Sequence, residues 1–392
     1  MKIQEGYVLT RLFGESYLLP YGQNIAAFKK GMKLNASGCL LWEALCAGKE
    51  EHELLPLLAA YYEADEADEP QLRADIAQFL DSLRTYGIVG HTAPCLCFAS
   101  ENARTFCIGT VTMRLAFSDA YIAEEFLAFE KRGDTAVDVP ADLNVSLRFD
   151  APSTRPVGKI LVRSADFLAI ETADGYCLLF PGSPDIVECQ LDRGARFACF
   201  YCRDTDSETC AEALFHGIRF VFLMRARAHG LYAIHSASLL YRGQAWLFSG
   251  MSGTGKSTHT NLWKERYGLP LLNGDLNLIG IKDGIPLAYG LPWCGTSSIS
   301  TTETYPLGGV IFLRQSPEDA AEPLSDDAAQ LMLSQRLITP AWTREMLLDN
   351  LAFCEAVLPH ITTFVMRATT DVRAAEVCRG AIDRFLSSHT KE

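Results

Sequence analysis

Gly250-Met251-Ser252-Gly253-Thr254-Gly255-Lys256-Ser257 meets the phosphate-loop pattern G-x-x-x-x-G-K-[ST] at every fixed position. Ahead of it, Gln244 to Ser249 (QAWLFS) reads as a short buried strand, and behind it Thr258 to Tyr267 reads as a helix stopped by Gly268. Strand, glycine loop and helix form the context the pattern needs. Glycines let backbone N–H groups turn inward on a phosphate chain, and the helix N-terminus adds a favourable dipole. Gly250, Ser252, Gly253, Thr254, Gly255, Lys256, Ser257 and Thr258 are therefore the candidate nucleotide-binding residues. Lys256 can reach the β- and γ-phosphates of ATP, and the Ser257 hydroxyl can ligate Mg²⁺.

The chain has 392 residues, enough for two domains with cores of their own. Apolar residues make up 48% and charged residues 21%, ordinary values for a globular protein. No apolar run approaches the roughly 20 residues of a membrane span, and Met1 to Gly6 lacks a signal-peptide core, so no membrane partner and a cytoplasmic location are expected. The formal charge of −13 argues against nucleic acid as a partner, because phosphate backbones need a basic face. Thirteen cysteines are scattered along the chain. Cys199-Phe-Tyr-Cys202 is a lone C-x-x-C in an apolar run, and it reads as buried thiols on a strand rather than as a metal pair.

Residues 1–92 read as short β-like runs (Gly6 to Leu12, Ser16 to Pro20, Ala27 to Leu34) followed by three helices. Asn35 is the expected N-cap of the first. The second covers Glu53 to Tyr62. The third, Gln71 to Tyr86, carries Leu72, Ile76, Phe79, Leu80 and Leu83 on one face. Such a winged-helix pattern suggests DNA binding, but 8 Lys/Arg against 13 Asp/Glu weaken that reading. The stretch resembles the PqqD-like family through Gly6-Tyr7-Val8-Leu9, Gly31-Met32-Lys33-Leu34-Asn35, Gly38-Cys39-Leu40-Leu41-Trp42 and Leu83-Arg84-Thr85-Tyr86-Gly87-Ile88. The resemblance implies a peptide-recognition element for ribosomally made precursors, with a leader peptide adding as an extra strand beside Ala27 to Leu34. Main-chain hydrogen bonds would then supply affinity and side-chain pockets selectivity. Lys29, Lys30 and Lys33 beside that groove would favour an acidic leader, or keep an edge strand soluble.

His91 to Asn102 reads as a linker. Phe106 to Met113, Leu143 to Phe149, Gly158 to Val162, Tyr176 to Phe180, Ile186 to Leu191 and Phe197 to Tyr201 read as strands, with a helix-like interruption at Tyr121 to Lys131. Thr209 to Ala228 is a long helix, apolar nearly all round and so buried. Leu231 to Ile234 and Leu239 to Tyr241 read as two strands before the loop strand, with His235 at the end of the first. Pro270 to Gly280 reads as a buried strand with Asp275 near its end, the usual place of an Mg²⁺-binding acid.

This part resembles the HPr kinase/phosphorylase family and its relatives near the ATP-dependent phosphoenolpyruvate carboxykinases. The resemblance rests on His235-Ser-Ala-Ser238, Gly250 to Thr258, Asn273-Gly274-Asp275, Gly290-Leu-Pro-Trp293-Cys294-Gly295 and Pro306 to Leu313. It implies that Asp275 acts as base or metal ligand and that Lys256 and Ser257 hold ATP·Mg²⁺. Many relatives have two adjacent acids; here the first position is Gly274, which leaves Asp275 to act alone or with His235. His235 is either a catalytic partner or a histidine fixing the hairpin. Trp293 borders the acceptor side or packs, and Arg336 clamps a phosphate or lies on the surface.

The expected fold is α/β with α+β. A winged-helix-like PqqD-type domain (1–92) precedes an HPr kinase-like P-loop domain (93–392), comprising a sheet-rich flank (93–208) and a P-loop core (209–392). The expected function is ATP-dependent phosphorylation of a Ser or Thr in a ribosomally synthesised precursor peptide, held through its leader. A small-molecule kinase and a nucleotide-gated peptide carrier without catalysis are the alternatives, and a homo-oligomer is left open.

Overall fold

Gln244–Ser249 alternates Ala245 and Leu247 with Trp246 and Phe248, and all four side chains are fully buried. A strand apolar on both faces needs cover on both. Ala245 and Leu247 enter one core with Tyr232, Ile234, Ile279, Val310 and Phe312, which also takes Phe353, Cys354 and Val357 of the helix Arg344–Val357. Trp246 and Phe248 enter a second core with Trp263 of the helix Lys256–Tyr267 and with Ala374, Ala375, Cys378 and Ile382 of the helix Arg373–His389.

The computed structural model describes residues 2–3, 6–22, 31–49, 51–65, 67–85, 88–90, 103–131, 141–149, 156, 158–203 and 207–389. The chain divides into two compact units: Met1–Leu96 with Phe149–Gly182 and Val187–Arg193, and Cys97–Arg148 with Ser183–Ile186 and Gly194–Glu392.

In the first unit, Tyr7–Leu12, Glu15–Pro20 and Met32–Leu34 form an antiparallel sheet in that order, which leaves Met32–Leu34 at an edge among the described residues. Phe13 and Gly14 turn the first hairpin with positive φ. Helices Ala36–Cys46, Glu51–Tyr62 and Glu69–Thr85 follow. Asn35 caps the first, its side chain accepting from the Gly38 N–H at 2.8 Å. Leu18, Leu34, Trp42, Leu45, Leu54, Leu58, Ile76, Leu80 and Leu83 make the core of this segment. Lys2–Ile3 pairs with Val89–Gly90. The expected linker at His91 to Asn102 and the first part of Ala27 to Leu34 lie outside the described residues. Lys159–Arg163, Leu168–Glu171, Gly175–Leu179 and Ile186–Asp192 form an antiparallel meander. Leu168–Glu171 was not expected from the sequence, because four residues between turns carry too little periodicity to register.

In the second unit, Phe106 to Met113 is not one strand. The chain turns at Gly109-Thr110, so Arg104–Ile108 and Val111–Ala116 form a hairpin. Leu143–Arg148 joins it in parallel, and Phe197–Cys202 pairs in parallel with Leu143–Arg148. Cys199 and Cys202 are buried thiols on that last strand. The expected helix at Tyr121 to Lys131 is two short 3₁₀ turns, Asp119–Tyr121 and Glu124–Phe129.

The strands of the loop core close on themselves. Leu231–Tyr241 lies antiparallel to both Gln244–Ser249 and Leu276–Lys282. Ile285–Tyr289 follows, then Thr304–Gln315, which pairs in parallel with Gln244–Ser249. Thr362–Ala368 and Ala320–Pro323 extend the sheet beyond Thr304–Gln315. Leu231–Tyr241 is one strand of 11 residues, not two, so His235 sits inside a strand rather than at an end. Asp275 likewise precedes Leu276–Lys282 rather than ending a strand. No described helix is long and apolar enough to cross a membrane.

His259 shows how the core depends on protonation. It is buried beside Phe248, and its Nε2 accepts the Trp263 indole N–H at 3.3 Å. Burial pushes its pKa down to about 4, with Asp319 opposing weakly. The unfolded chain takes up this proton near pH 6.5 and the folded one only near pH 4. The stability from a neutral His259 is therefore full above pH 6.5 and lost as pH falls toward 4, by roughly 3 kcal/mol. Urea unfolding at pH 7.5 and pH 5 will show this loss, and a His259→Gln variant will show a shallower pH dependence.

Candidate functional site

Gly253 and Gly255 take φ of +78° and +92°, a backbone that ordinary side chains avoid. Thr254 Oγ1 donates to the Met251 carbonyl at 2.8 Å, and the Gln315 amide donates to the Gly253 carbonyl at 2.9 Å. Both bonds tie loop carbonyls to the protein. The helix Lys256–Tyr267 begins at Gly255 with no side-chain cap, so its first N–H groups are available to an anion. Lys256 Nζ lies over the loop, donating to the Gly250 and Met251 carbonyls at 3.4 Å each. Ser257 and Thr258 are exposed on the first helical turn.

Asp275 and His235 meet beside this loop. An ionised carboxylate only accepts, so His235 Nε2 donates to Asp275 Oδ1, at 3.0 Å. That hydrogen bond holds the Asp275 carboxyl below its ordinary pKa; Lys256 and Arg219 act in the same direction, and burial opposes them. Burial lowers the Lys256 ammonium, and Asp275 partly restores it. The site therefore carries an ionised carboxylate among cations, suited to holding a metal ion or orienting a hydroxyl.

The backbone under Asp275 is fixed by a buried polar network. Ser238 Oγ donates to Asn277 Oδ1 at 2.7 Å, and Asn277 Nδ2 donates to the Ser236 carbonyl at 2.7 Å. Asn273 Nδ2 donates to Asn277 Oδ1 at 3.0 Å, and the Ser236 N–H donates to the Asp275 carbonyl at 2.9 Å. Removing one member strands its partner at a cost of about 1–3 kcal/mol.

Glycine at position 274 has a steric cause. A Cβ there would meet Ser297 Oγ at 1.8 Å and Ser297 Cβ at 2.5 Å. Ser297 cannot swing away freely, since its hydroxyl donates to the Cys294 carbonyl at 2.7 Å and accepts from the Ile299 N–H at 3.2 Å. A second acid beside Asp275 is thus excluded.

Trp293 is a packing residue. It is buried against Phe126, Phe215 and Phe222, and its indole donates to the Phe215 carbonyl at 2.8 Å. Arg336 is half-buried and, with Gly250 to Thr254, Arg314, Gln315, Met332 and Gln335, lines a cavity of ≈ 510 Å³. Sequence reasoning missed Gln315, whose contact with the loop comes from a neighbouring strand end and leaves no motif. It also missed Arg219, which pulls on Asp275 from the helix Ser207–Ala228. The available signal was an arginine between Ile218 and Phe220, inside the apolar middle of that helix.

ATP and Mg²⁺ fit these residues. Mg²⁺ is a hard ion that takes one or two protein oxygens and completes its shell from phosphate and water, and Ser257 and Asp275 are oxygen donors of that kind. Among the described residues no group of three or more His, Cys, Asp or Glu could hold a metal by itself.

A second cavity, of ≈ 650 Å³, lies in the N-terminal segment. The edge strand (Met32, Lys33, Leu34) lines one side and Asp75, Gln78, Phe79 and Ser82 of the helix Glu69–Thr85 line the other. Ile76, Leu80 and Leu83 belong to the core beneath. Lys33 is ion-paired with Glu15 at 2.9 Å, so its charge is already answered. Lys29 and Lys30 lie outside the described residues.

Residues 18–89 match the family of coenzyme PQQ synthesis protein D (PqqD), so the N-terminal part carries a PqqD domain. A solved structure of TbiB1 in complex with the TbiA(beta) leader peptide is 26% identical, covering 24% of this chain and 99% of that chain, with a TM-score of 0.20. The Hpr(Ser) kinase/phosphatase from Coxiella burnetii is 10% identical, covering 39% of this chain and 97% of that chain, with a TM-score of 0.24. No curated relative matches the sequence.

The Gly274 contact predicts the behaviour of a restored acid pair. Gly274→Asp will lower stability by about 1–3 kcal/mol, as overpacking does. Combining it with Ser297→Gly will recover part of that loss. Thermal melting of the two variants and the parent checks this.

Proposed function

We propose that this chain is an ATP-dependent kinase that transfers the γ-phosphoryl group to a Ser or Thr hydroxyl of a ribosomally synthesised precursor peptide, held through its leader by the PqqD domain. The observation that carries the reading is the hydrogen-bonded Asp275–His235 pair within electrostatic reach of Lys256 at the phosphate loop. The open edge strand with its cavity, inside a segment that matches the PqqD family, supports the peptide side.

The loop amides and the N-terminus of the helix Lys256–Tyr267 bind the phosphate chain of ATP, and Lys256 neutralises its β- and γ-oxygens. Ser257 and Asp275 would hold Mg²⁺, which when bound would supply further charge neutralisation on the phosphates. Asp275 orients the acceptor hydroxyl and takes its proton as the oxygen–phosphorus bond forms. His235 keeps the Asp275 carboxylate turned into the site. In a loose transition state the nucleophile's proton leaves late, so a carboxylate of depressed pKa is adequate. An extended leader adds to Met32–Leu34 by main-chain hydrogen bonds, and Phe79 provides an apolar contact for a side chain on the leader. Tethering then raises the local concentration of the acceptor segment.

The test is phosphate transfer from labelled ATP·Mg²⁺ to precursor peptides encoded beside the gene. Asp275→Asn will cut the transfer rate about 10²–10⁴-fold, the usual scale for a general base. Removing the leader, or changing Phe79→Lys, will raise KM for the peptide while leaving kcat within a few-fold. ATP binding with no transfer to any peptide overturns the reading. Turnover of a metabolite would then favour a small-molecule kinase, and no turnover at all a nucleotide-gated carrier.

A further inference from the structure

The helix Ser207–Ala228 presents one arginine in the middle of its packed stripe. Phe215, Arg219 and Phe222 follow one another at spacings of four and three, so they share a face. Phe215 and Phe222 grip Trp293, with ring centroids 5.7 and 5.1 Å away. Arg219 therefore stands on the face that meets the Trp293-Cys294-Gly295 turn. That turn reaches Asp275: a Cβ on Gly295 would lie 3.0 Å from the Asp275 Cβ and 3.4 Å from its Oδ2.

Arg219 is half-buried. Its guanidinium lies 5.5 Å from the Phe220 ring centroid, and among the described residues it has no ion pair and no hydrogen bond. Removing a guanidinium from water without a partner costs free energy that an anionic ligand would return. Arg219 also feels Asp275, which offsets part of the effect of burial on its charge. The other arginines near the end of this helix are differently placed: Arg225 reaches Asp142 and Arg227 reaches Asp349.

We propose that Arg219 is a catalytic residue that hydrogen-bonds the γ-phosphoryl group during its transfer, as a second cation beside Lys256. The inference rests on the phosphoryl-transfer reading above and adds a second cation for the negative charge of the transferred group. As the bond between the γ-phosphorus and the β,γ-bridging oxygen breaks, its electron pair stays with ADP. The acceptor hydroxyl oxygen forms the new bond to phosphorus, and its proton passes to Asp275. The equatorial oxygens carry charge throughout, and a planar guanidinium can donate to two of them. Tethering Arg219 between Phe215 and Phe222 spares the entropy of bringing a cation from outside.

The experiment measures binding of ADP·Mg²⁺ alone and with aluminium fluoride, a mimic of the phosphoryl group in flight, to the full chain, to Arg219→Lys and to Arg219→Met. Melting profiles establish that each variant is folded. Binding of ADP·Mg²⁺ alone will change less than about 3-fold, because Lys256 and the loop hold the diphosphate. The tightening produced by aluminium fluoride will fall about 10²-fold or more in both variants, the scale of one lost transition-state donor. Equal tightening in the parent and both variants overturns the proposal while leaving the nucleotide site intact. A parent that binds ADP·Mg²⁺ but gains nothing from aluminium fluoride defeats the phosphoryl-transfer reading, and this proposal with it.

Discussion

Both edges of Leu231–Tyr241 are hydrogen-bonded along most of their length, and on one of them the partner changes partway. On one edge Leu276–Lys282 pairs as far as His235, and the pairing runs on less regularly through Asp275, Asn273 and Pro270. On the other edge Gln244–Ser249 covers residues 236 to 241. The chain then leaves the sheet to form the phosphate loop, which would expose backbone groups at 233 to 235. Residues 336 to 338 take that place: the His235 N–H donates to the Arg336 carbonyl at 3.0 Å, and the Ile338 N–H donates to the Ala233 carbonyl at 2.9 Å. Buried backbone must find partners, and satisfying it here brings His235, Asp275, Arg336 and the start of the loop to one point.

The chemistry of that point follows from unequal numbers of charges. One carboxylate stands within electrostatic reach of Lys256 and Arg219 and is bonded to a histidine. A bound nucleoside triphosphate would reverse that balance, which is the condition under which poorly solvated cations stabilise a ligand. Glycine at position 274 is not a free choice. Ser297 fills the space beside Gly274 and is itself hydrogen-bonded in place, so the turn after Trp293 and the identity of residue 274 are coupled.

The N-terminal segment works by a different device. Its helices bury Ile76, Leu80 and Leu83 in a core, while Phe79, on the same helix, lines the cavity beside the edge strand. Among the described residues, Met32–Leu34 has a sheet partner on one side only, Glu15–Pro20. An edge strand beside a cavity favours an extended peptide. The Lys33–Glu15 pair makes that edge less basic than its lysine suggests.

Local patterns in the sequence were enough for the phosphate loop and its flanking strand and helix, for the Asn35 cap and for the three N-terminal helices. Each depends on residues within about one turn of one another, where propensity and periodicity act. The family resemblance already grouped Asp275, His235 and Lys256 at one site, but the hydrogen bond between His235 and Asp275 was not legible, since it requires a strand shared between two partners. The sequence reads the single strand through His235 as two because Ser236 and Ser238 look like a break; they are buried, and Asn277 answers their polarity from 39 to 41 residues away. Gly274 was legible as a departure, and only Ser297 explains it. Arg219 did not stand out in the sequence because its neighbours there are apolar, and the surroundings of its helix face are set by a tryptophan 74 positions later. Sequence alone determined the form of the loop, because a glycine-rich turn carries its own geometry. Tertiary structure decided which charges surround it, because electrostatic fields act through space and not along the chain.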